Sequence, residues 1–163
     1  MKPLPCTLFW LPLQQAFIPI WRVDLMKSLV VYYSRGGKTA KVAGAIANEL
    51  GCDAVDVTKG KPDASGVDML VVGSGTYGGM PGPSILEFLK SIPQTAGGKA
   101  AVFATSAGPN PRSLPKLKNA LEEKGYPIVT SFDCRGQFML ANRGHPDEKD
   151  VENARAFARD LKK

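Results

Sequence analysis

The segment SRGGKT, residues 34–39, contains the residue types and spacing that suggest chemistry most directly. Its two consecutive glycines leave backbone N–H groups open to a ligand, Arg35 and Lys38 add positive charge, and Ser34 and Thr39 add hydroxyls. Groups of this kind at the start of a helix bind phosphate, because the helix N-terminus carries unpaired amides and a partial positive charge. The segment therefore predicts a site for phosphate or another anion.

The complete loop of nucleoside triphosphate hydrolases, G-x-x-x-x-G-K-[ST], would require a glycine at position 32. Position 32 is Tyr32, which belongs to the preceding apolar run. The shorter loop can hold one terminal phosphate, for which the candidate ligands are Ser34, Gly36, Gly37, Lys38 and Thr39. A tight turn in which Thr39 only caps the helix is the alternative interpretation.

A second glycine pattern, Gly73-x-Gly75-x-x-Gly78, matches the letters of a dinucleotide-binding fingerprint. That fingerprint requires a helix to begin at its last glycine, after the first strand of the fold. Here further Gly and Pro residues delay the helix to about Ser84, and the pattern follows the third predicted strand. We therefore expect a loop that covers a ligand.

From Ser28 onward, segments with strand and helix patterns alternate. Short apolar runs rich in β-branched residues predict five strands, at 28–33, 53–57, 68–74, 99–105 and 127–134. Apolar residues at steps of three and four between Val42 and Leu50 predict a helix that follows SRGGKT and ends at Gly51. Similar patterns predict helices at 84–91, at 113–124 and from Pro146 to the end, with Pro146 in the first turn. The second crossover, 58–67, is too short for a helix.

Alternating strands and helices predict an α/β protein with a doubly wound, five-stranded parallel sheet. The most common order for five such strands is 2-1-3-4-5, and ligands then bind where the strand order reverses, at the carboxyl ends of the strands. The loops SRGGKT, SGTYGGMPGP and TSAGPNPR follow strands 1, 3 and 4. They should therefore converge on one site.

Length and composition place limits on the class of protein. The 163 residues are 44% hydrophobic and 22% charged, which suits one globular core. The net charge is +6, yet no segment groups its basic residues with aromatic ones, so no nucleic-acid partner is expected. Cys6, Cys52 and Cys134 form no C-x-x-C pair, which favours a reducing cytoplasm and excludes a disulfide framework or a zinc site.

Residues 1–25 differ from the rest in being rich in Pro, Leu and aromatic residues without periodicity. Prolines and glutamines interrupt the apolar run before it reaches the roughly 20 residues that a bilayer requires, so no membrane span is expected. We expect residues 26–163 to form the domain and residues 1–25 to be an N-terminal extension that is disordered or not native to the protein. The alternative is a hydrophobic arm that packs on the domain or on a second copy, in a homodimer.

The stretch VVYYSRGGKTAKVAGAIA resembles the opening of flavodoxin-family proteins, whose first loop has the pattern [ST]-x-T-G-x-T. Ser34, Gly37 and Thr39 match this pattern. VVGSGTYGGMPGP and VFATSAGP resemble the second and third loops of the family, and HPDEKDVENARAFARDL resembles its final helix. The resemblance covers residues 28–161 and implies a flavodoxin-like fold that binds FMN without a covalent link.

The resemblance also implies a role for each loop. Ser34, Gly36, Gly37, Lys38 and Thr39 would hold the FMN phosphate. One side of the flavin ring would be lined by Ser74, Gly75, Thr76, Tyr77 and Gly78, and the other by Thr105, Ser106, Ala107 and Gly108. Tyr77 would stack on the ring, and a peptide at Gly78 or Gly79 could turn to meet a ring nitrogen.

The implied function is electron transfer to a redox partner protein or a small acceptor, by a carrier or by a small FMN-dependent oxidoreductase such as an NAD(P)H:quinone-type reductase. Three departures from the family bear on this choice. Gly36 replaces the usual Thr, the third loop has no aromatic residue, and the net charge of +6 contrasts with the acidic carriers. The alternative is a flavin-free domain of the same fold that acts by binding proteins.

Other catalytic sites are not indicated by the sequence. His145 is the only histidine, and its place beside Pro146 at a predicted helix start favours a capping or surface role. Cys134 is expected to be a small buried apolar residue.

Overall fold

The computed structural model describes residues 25–137 and 142–163. Five strands form one parallel sheet: β1 (Ser28–Tyr33), β2 (Ala54–Asp56), β3 (Met69–Gly75), β4 (Lys99–Ser106) and β5 (Ile128–Arg135). Their order is β2-β1-β3-β4-β5, which confirms the predicted topology. The predicted N-terminal extension lies outside the described residues except for Leu25.

Four helices cover the sheet within the described ranges: α1 (Lys38–Leu50), α2 (Pro83–Ser91), α3 (Ser113–Glu122) and α4 (Glu148–Leu161). Helix α1 ends where predicted, at Gly51, whose φ of 72° suits a glycine at this position. Helix α3 ends two residues earlier than predicted. The crossover between β2 and β3 contains no helix, as expected. None of these helices is long and apolar enough to cross a membrane.

Two hydrophobic clusters form the core, one on each side of the sheet. On one side, α1 and α4 pack on the sheet through residues such as Ile46, Ala158 and Phe103. On the other side, α2 and α3 pack through residues such as Leu89, Leu117 and Val72. Because both of its faces are covered, β3 is buried along its whole length. This central strand and its neighbours therefore give the loops at their carboxyl ends a rigid base.

The prediction that Pro146 lies in the first turn of the last helix is wrong. Helix α4 begins after Asp147, which is its N-cap and has extended backbone dihedrals. The Asp147 carboxylate accepts a hydrogen bond from the Asp150 N–H at 2.9 Å, and the Asp150 carboxylate accepts one from the Asp147 N–H at 3.0 Å. These two hydrogen bonds satisfy the backbone N–H groups of Asp147 and Asp150 at the helix start. Proline has no side-chain acceptor and cannot form such a pair.

We expect Asp147→Ala to lower the urea midpoint of unfolding by about 0.5 M, because the variant loses the side-chain acceptor of this capping box. Asp147→Asn keeps an acceptor oxygen and should remain close to the wild type. Urea titrations followed by circular dichroism would measure both variants. Equal losses for Ala and Asn would contradict a capping role for Asp147.

Candidate functional site

A cleft of about 300 Å³ lies at the carboxyl edge of the sheet. The loops after β1, β3 and β4 meet there, as expected from the strand order, and the loop after β5 adds Gly136 and Gln137. Most of the predicted site residues line this cleft: Ser34, Gly36, Lys38, Thr39, Gly75, Thr76, Tyr77, Gly78, Thr105, Ser106 and Ala107.

The remaining predicted residues lie beside the cleft. Gly37 is the N-cap of α1, and its φ of 76° explains the need for glycine. Ser74 is fully buried, and its hydroxyl donates to the Gly75 carbonyl at 2.8 Å and accepts from the Gly82 N–H at 2.9 Å. This residue therefore stabilises the second loop from within. Gly108 lines a neighbouring groove, where its carbonyl accepts a hydrogen bond from the Ser106 hydroxyl.

The first loop offers several unpaired hydrogen-bond donors. Among the described residues, no acceptor contacts the backbone N–H groups of Gly36, Gly37, Lys38 and Thr39. The Ser34 hydroxyl and the Lys38 ammonium group likewise have no partner in the described ranges. Unpaired amides at a helix start together with a free cation form an anion site, because the helix dipole adds to the charge. This end of the cleft suits a phosphate group.

Two buried hydroxyls join the first and third loops at the base of the cleft. The Thr39 and Thr105 Oγ1 atoms are 2.7 Å apart, and the two residues are 2% and 5% exposed. One hydroxyl donates to the other, so the accepting hydroxyl keeps a proton that can be donated to a ligand. Thr39 does not cap the turn, because the N-cap of α1 is Gly37 and no side-chain hydrogen bond caps it.

Tyr77 forms a wall of the cleft and is held by the first loop. Its hydroxyl accepts a hydrogen bond from the Arg35 N–H at 3.1 Å, and the Arg35 guanidinium lies 4.5 Å from the centre of its ring. The Tyr33 ring contacts the Tyr77 ring edge to face, with 5.7 Å between the two ring centroids. Burial raises the pKa of Tyr77, so the phenol stays protonated at neutral pH. The phenol therefore meets a ligand as a neutral group.

A tight turn follows Tyr77. Tyr77 and Met80 exchange two backbone hydrogen bonds, of 2.8 and 3.1 Å, across Gly78 and Gly79. The φ angles of these glycines are 60° and 81°, which other residues rarely adopt. The next helix, α2, begins at Pro83 and not at Gly78, which agrees with the prediction that this segment is not a dinucleotide fingerprint.

Sequence reasoning missed part of the cleft. Gly136 and Gln137 line it from the loop after β5, although no motif marks them. The signal available was topological, because the carboxyl end of β5 lies at the same edge as those of its neighbours. Arg35 was expected to supply charge alone, and it also packs on Tyr77.

The other polar candidates lie outside the lining of the cleft. His145 precedes α4, where its Nδ1 lies 2.5 Å from the Asp150 carboxylate. Cys134 is buried as predicted, and burial raises the pKa of its thiol to about 12, which makes it a poor nucleophile.

Comparison with known proteins agrees with this architecture. The sequence matches the flavodoxin domain model over residues 29–132. It is 35% identical over 150 residues to an uncharacterized protein of Methanocaldococcus jannaschii, MJ0298, and the match covers 85% of this chain and 99% of that protein.

Two solved structures have the same fold. A flavodoxin from the domain Archaea gives a TM-score of 0.65 at 21% identity and covers 83% of this chain and 96% of its own. Oxidised flavodoxin 2 from Bacillus cereus gives a TM-score of 0.61 at 25% identity and covers 81% and 94%. Because the family model spans more than half of the sequence, this chain belongs to the flavodoxin family.

Proposed function

We propose that this protein binds FMN without a covalent link in the cleft at the carboxyl edge of the sheet and transfers electrons, as a carrier or as a small FMN-dependent oxidoreductase. The observation that carries the proposal is the set of backbone donors at Gly36–Thr39, which have no acceptor among the described residues and lie beside the Ser34 hydroxyl and Lys38. A phosphate dianion complements these groups in charge and in hydrogen bonding. Membership of the flavodoxin family supports FMN as the bearer of that phosphate.

The residues of the cleft fit the two ends of FMN. The phosphate would be held by the first turn of α1, with the hydroxyls of Ser34 and Thr39 and the charge of Lys38. The ring would lie between the loops Gly75–Gly78 and Thr105–Ala107, which line the cleft with small residues that permit close approach. Tyr77 would stack on the ring after a change in its contacts with Arg35.

Bound FMN supplies the chemistry, because its ring system takes up one or two electrons by itself. The residues of this chain therefore bind the ring, orient it and exclude water from it. The peptide between Gly78 and Gly79 can reorient at low cost, since both residues are glycine, and can offer a carbonyl or an N–H to a ring nitrogen. No general acid or nucleophile is required in the cleft.

Titration of the apo protein with FMN, followed by quenching of flavin fluorescence, tests this proposal. We expect saturable quenching, and we expect Ser34→Asp to raise the Kd for FMN about tenfold or more, because a carboxylate at this position repels the phosphate. Ser84→Asp is the matched control, since Ser84 lies in the first turn of α2 and not in the lining of the cleft. The absence of quenching at high micromolar FMN would overturn the proposal.

Oxidation of NAD(P)H distinguishes the two forms of the proposed function. An oxidoreductase loaded with FMN should oxidise NAD(P)H without a second protein, whereas a carrier should require a reductase. Steady-state absorbance at 340 nm measures this difference directly.

A further inference from the structure

The three glycine-rich loops around the cleft differ in charge from the rest of the surface. Residues 34–37, 76–82 and 107–112 contain Arg35 and Arg112 and no acidic residue. Lys38 follows the first of these loops at the start of α1. The mouth of the cleft is therefore positively charged, and a bound phosphate would neutralise the charge at Lys38 while leaving the two arginines at the rim.

Unlike the cations at the end of the chain's last helix, Arg35, Lys38 and Arg112 have no acidic partner among the described residues. On α4, Arg159 contacts Glu152 at 2.6 Å, and just after its end Lys163 contacts Asp160 at 2.7 Å. In the described ranges, Arg112 makes no ion pair and no side-chain hydrogen bond. The Arg35 guanidinium donates to the Tyr33 hydroxyl at 3.3 Å and lies over the ring of Tyr77. The charge around the cleft thus remains available for a group outside this chain.

The arginines flank an exposed turn. Arg35 lies over the ring of Tyr77 at one end. Arg112 packs beside the turn, with its Cδ 3.5 Å from the position that a Cβ would occupy at Gly79. Met80, at the end of the same turn, is 42% exposed. Arginine, methionine and tyrosine are enriched in the centres of protein interfaces. Residues 107–110 are also exposed, and they line one groove together with Gly78, Gly79 and Arg112.

The groove beside this turn, lined by Gly78, Gly79, Gly108 and Arg112, has few polar groups available to a small molecule. Its hydroxyls are already paired: Thr76 Oγ1 lies 2.7 Å from Ser113 Oγ, and Ser106 donates to the Gly108 carbonyl. Specific small-molecule sites use polar groups that converge on the ligand, whereas these hydroxyls bond to groups of this chain. A protein surface requires fewer such groups, since shape and charge complementarity give it specificity.

We propose that Arg35, the turn Tyr77–Met80 and residues 107–112 form the docking surface for an acidic redox protein. This inference rests on the proposed function, because it names the partner of the same cleft. An acidic partner would be steered to the turn by the two arginines and would contact the edge of the cofactor site. A basic partner would be repelled there.

The test measures equilibrium binding of an acidic [2Fe–2S] ferredoxin by calorimetry, with and without FMN, at 20 and 200 mM salt. We expect saturable binding that weakens with salt, and we expect Arg112→Glu to raise the Kd about tenfold at low salt. Arg112 is the N-cap of α3, and negative charge is favourable at the start of a helix, so the Arg112→Glu variant should fold. Lys99→Glu, at the amino edge of the sheet in the first residue of β4, carries the same change in charge and should bind like the wild type.

The outcomes separate the two proposals. Equal effects of Arg112→Glu and Lys99→Glu, or no binding of the acidic protein, would overturn the docking surface even if FMN binds. Binding that depends on Arg112 in a protein that takes up no FMN would support the docking surface and overturn the proposed electron transfer.

Discussion

Gly73→Ala is expected to lower the free energy of unfolding by about 3 kcal/mol, the upper end of the usual cost of overpacking a core. A Cβ at this position would lie 1.9 Å from Cζ of Phe103, which is paired with Gly73 on the neighbouring strand and is fully buried. The aromatic ring therefore cannot move away into solvent. Chemical denaturation with two probes, to verify two-state behaviour, would measure the loss.

The matched control is Gly44→Ala, in the interior of α1, where an added Cβ meets nothing within 4 Å. This variant should be more stable than the wild type by about 0.5–1 kcal/mol, because alanine favours helix more than glycine does. The double variant Gly73→Ala/Phe103→Leu should regain part of the loss by making room for the methyl group. A Gly73→Ala protein as stable as the wild type would show that the ring does not lie over the strand.

Thr39→Val is expected to cost about 1–3 kcal/mol of stability, because it leaves the buried Thr105 hydroxyl without its partner. Valine has nearly the shape of threonine, so packing changes little. The same variant should bind FMN more weakly, since it removes one of the proposed phosphate ligands. Unfolding experiments on the apo protein measure the first effect, and FMN titrations measure the second.

A double-mutant cycle separates the hydroxyl pair from other effects of these substitutions. Thr39→Val/Thr105→Val removes both polar atoms and should cost less than the sum of the single variants. Thr39→Ser retains the hydroxyl and should resemble the wild type in FMN affinity. Additive losses in the cycle would contradict a direct hydrogen bond between the two threonines.

Much of the fold could be predicted because its strands are buried on both faces. Runs such as DMLVVGS have few alternative interpretations, and alternation with amphipathic helices then favours a parallel, doubly wound sheet. The start of α4 was harder to place. Proline is common in the first turn of a helix, but Asp147 and Asp150 at the next positions form a capping box, and this box decided where the helix begins.

The loops that form the cleft could be predicted from the sequence, whereas the contacts between their side chains could not. Glycine, serine and threonine after strands 1, 3 and 4 indicated which loops meet, because the topology brings those loops together. The pairing of Thr39 with Thr105 depends on how closely the loops approach, and the position of Arg35 over Tyr77 depends on side-chain conformation. Neither property has a signature in residue spacing.

The placement of α1 and α4 on the same side of the sheet has a consequence for the order in which this chain can fold during synthesis. Ala154, Phe157 and Leu161 of the last helix complete the hydrophobic cluster that α1 begins. In addition, the Lys41 ammonium group of α1 donates to the Pro146 carbonyl at 2.7 Å. Until the ribosome has made these residues, α1 and β5 lack the helix that packs on them. Helix α1, whose first turn lines the cleft, therefore reaches its final packing only after α4 has emerged, so the domain folds as one unit.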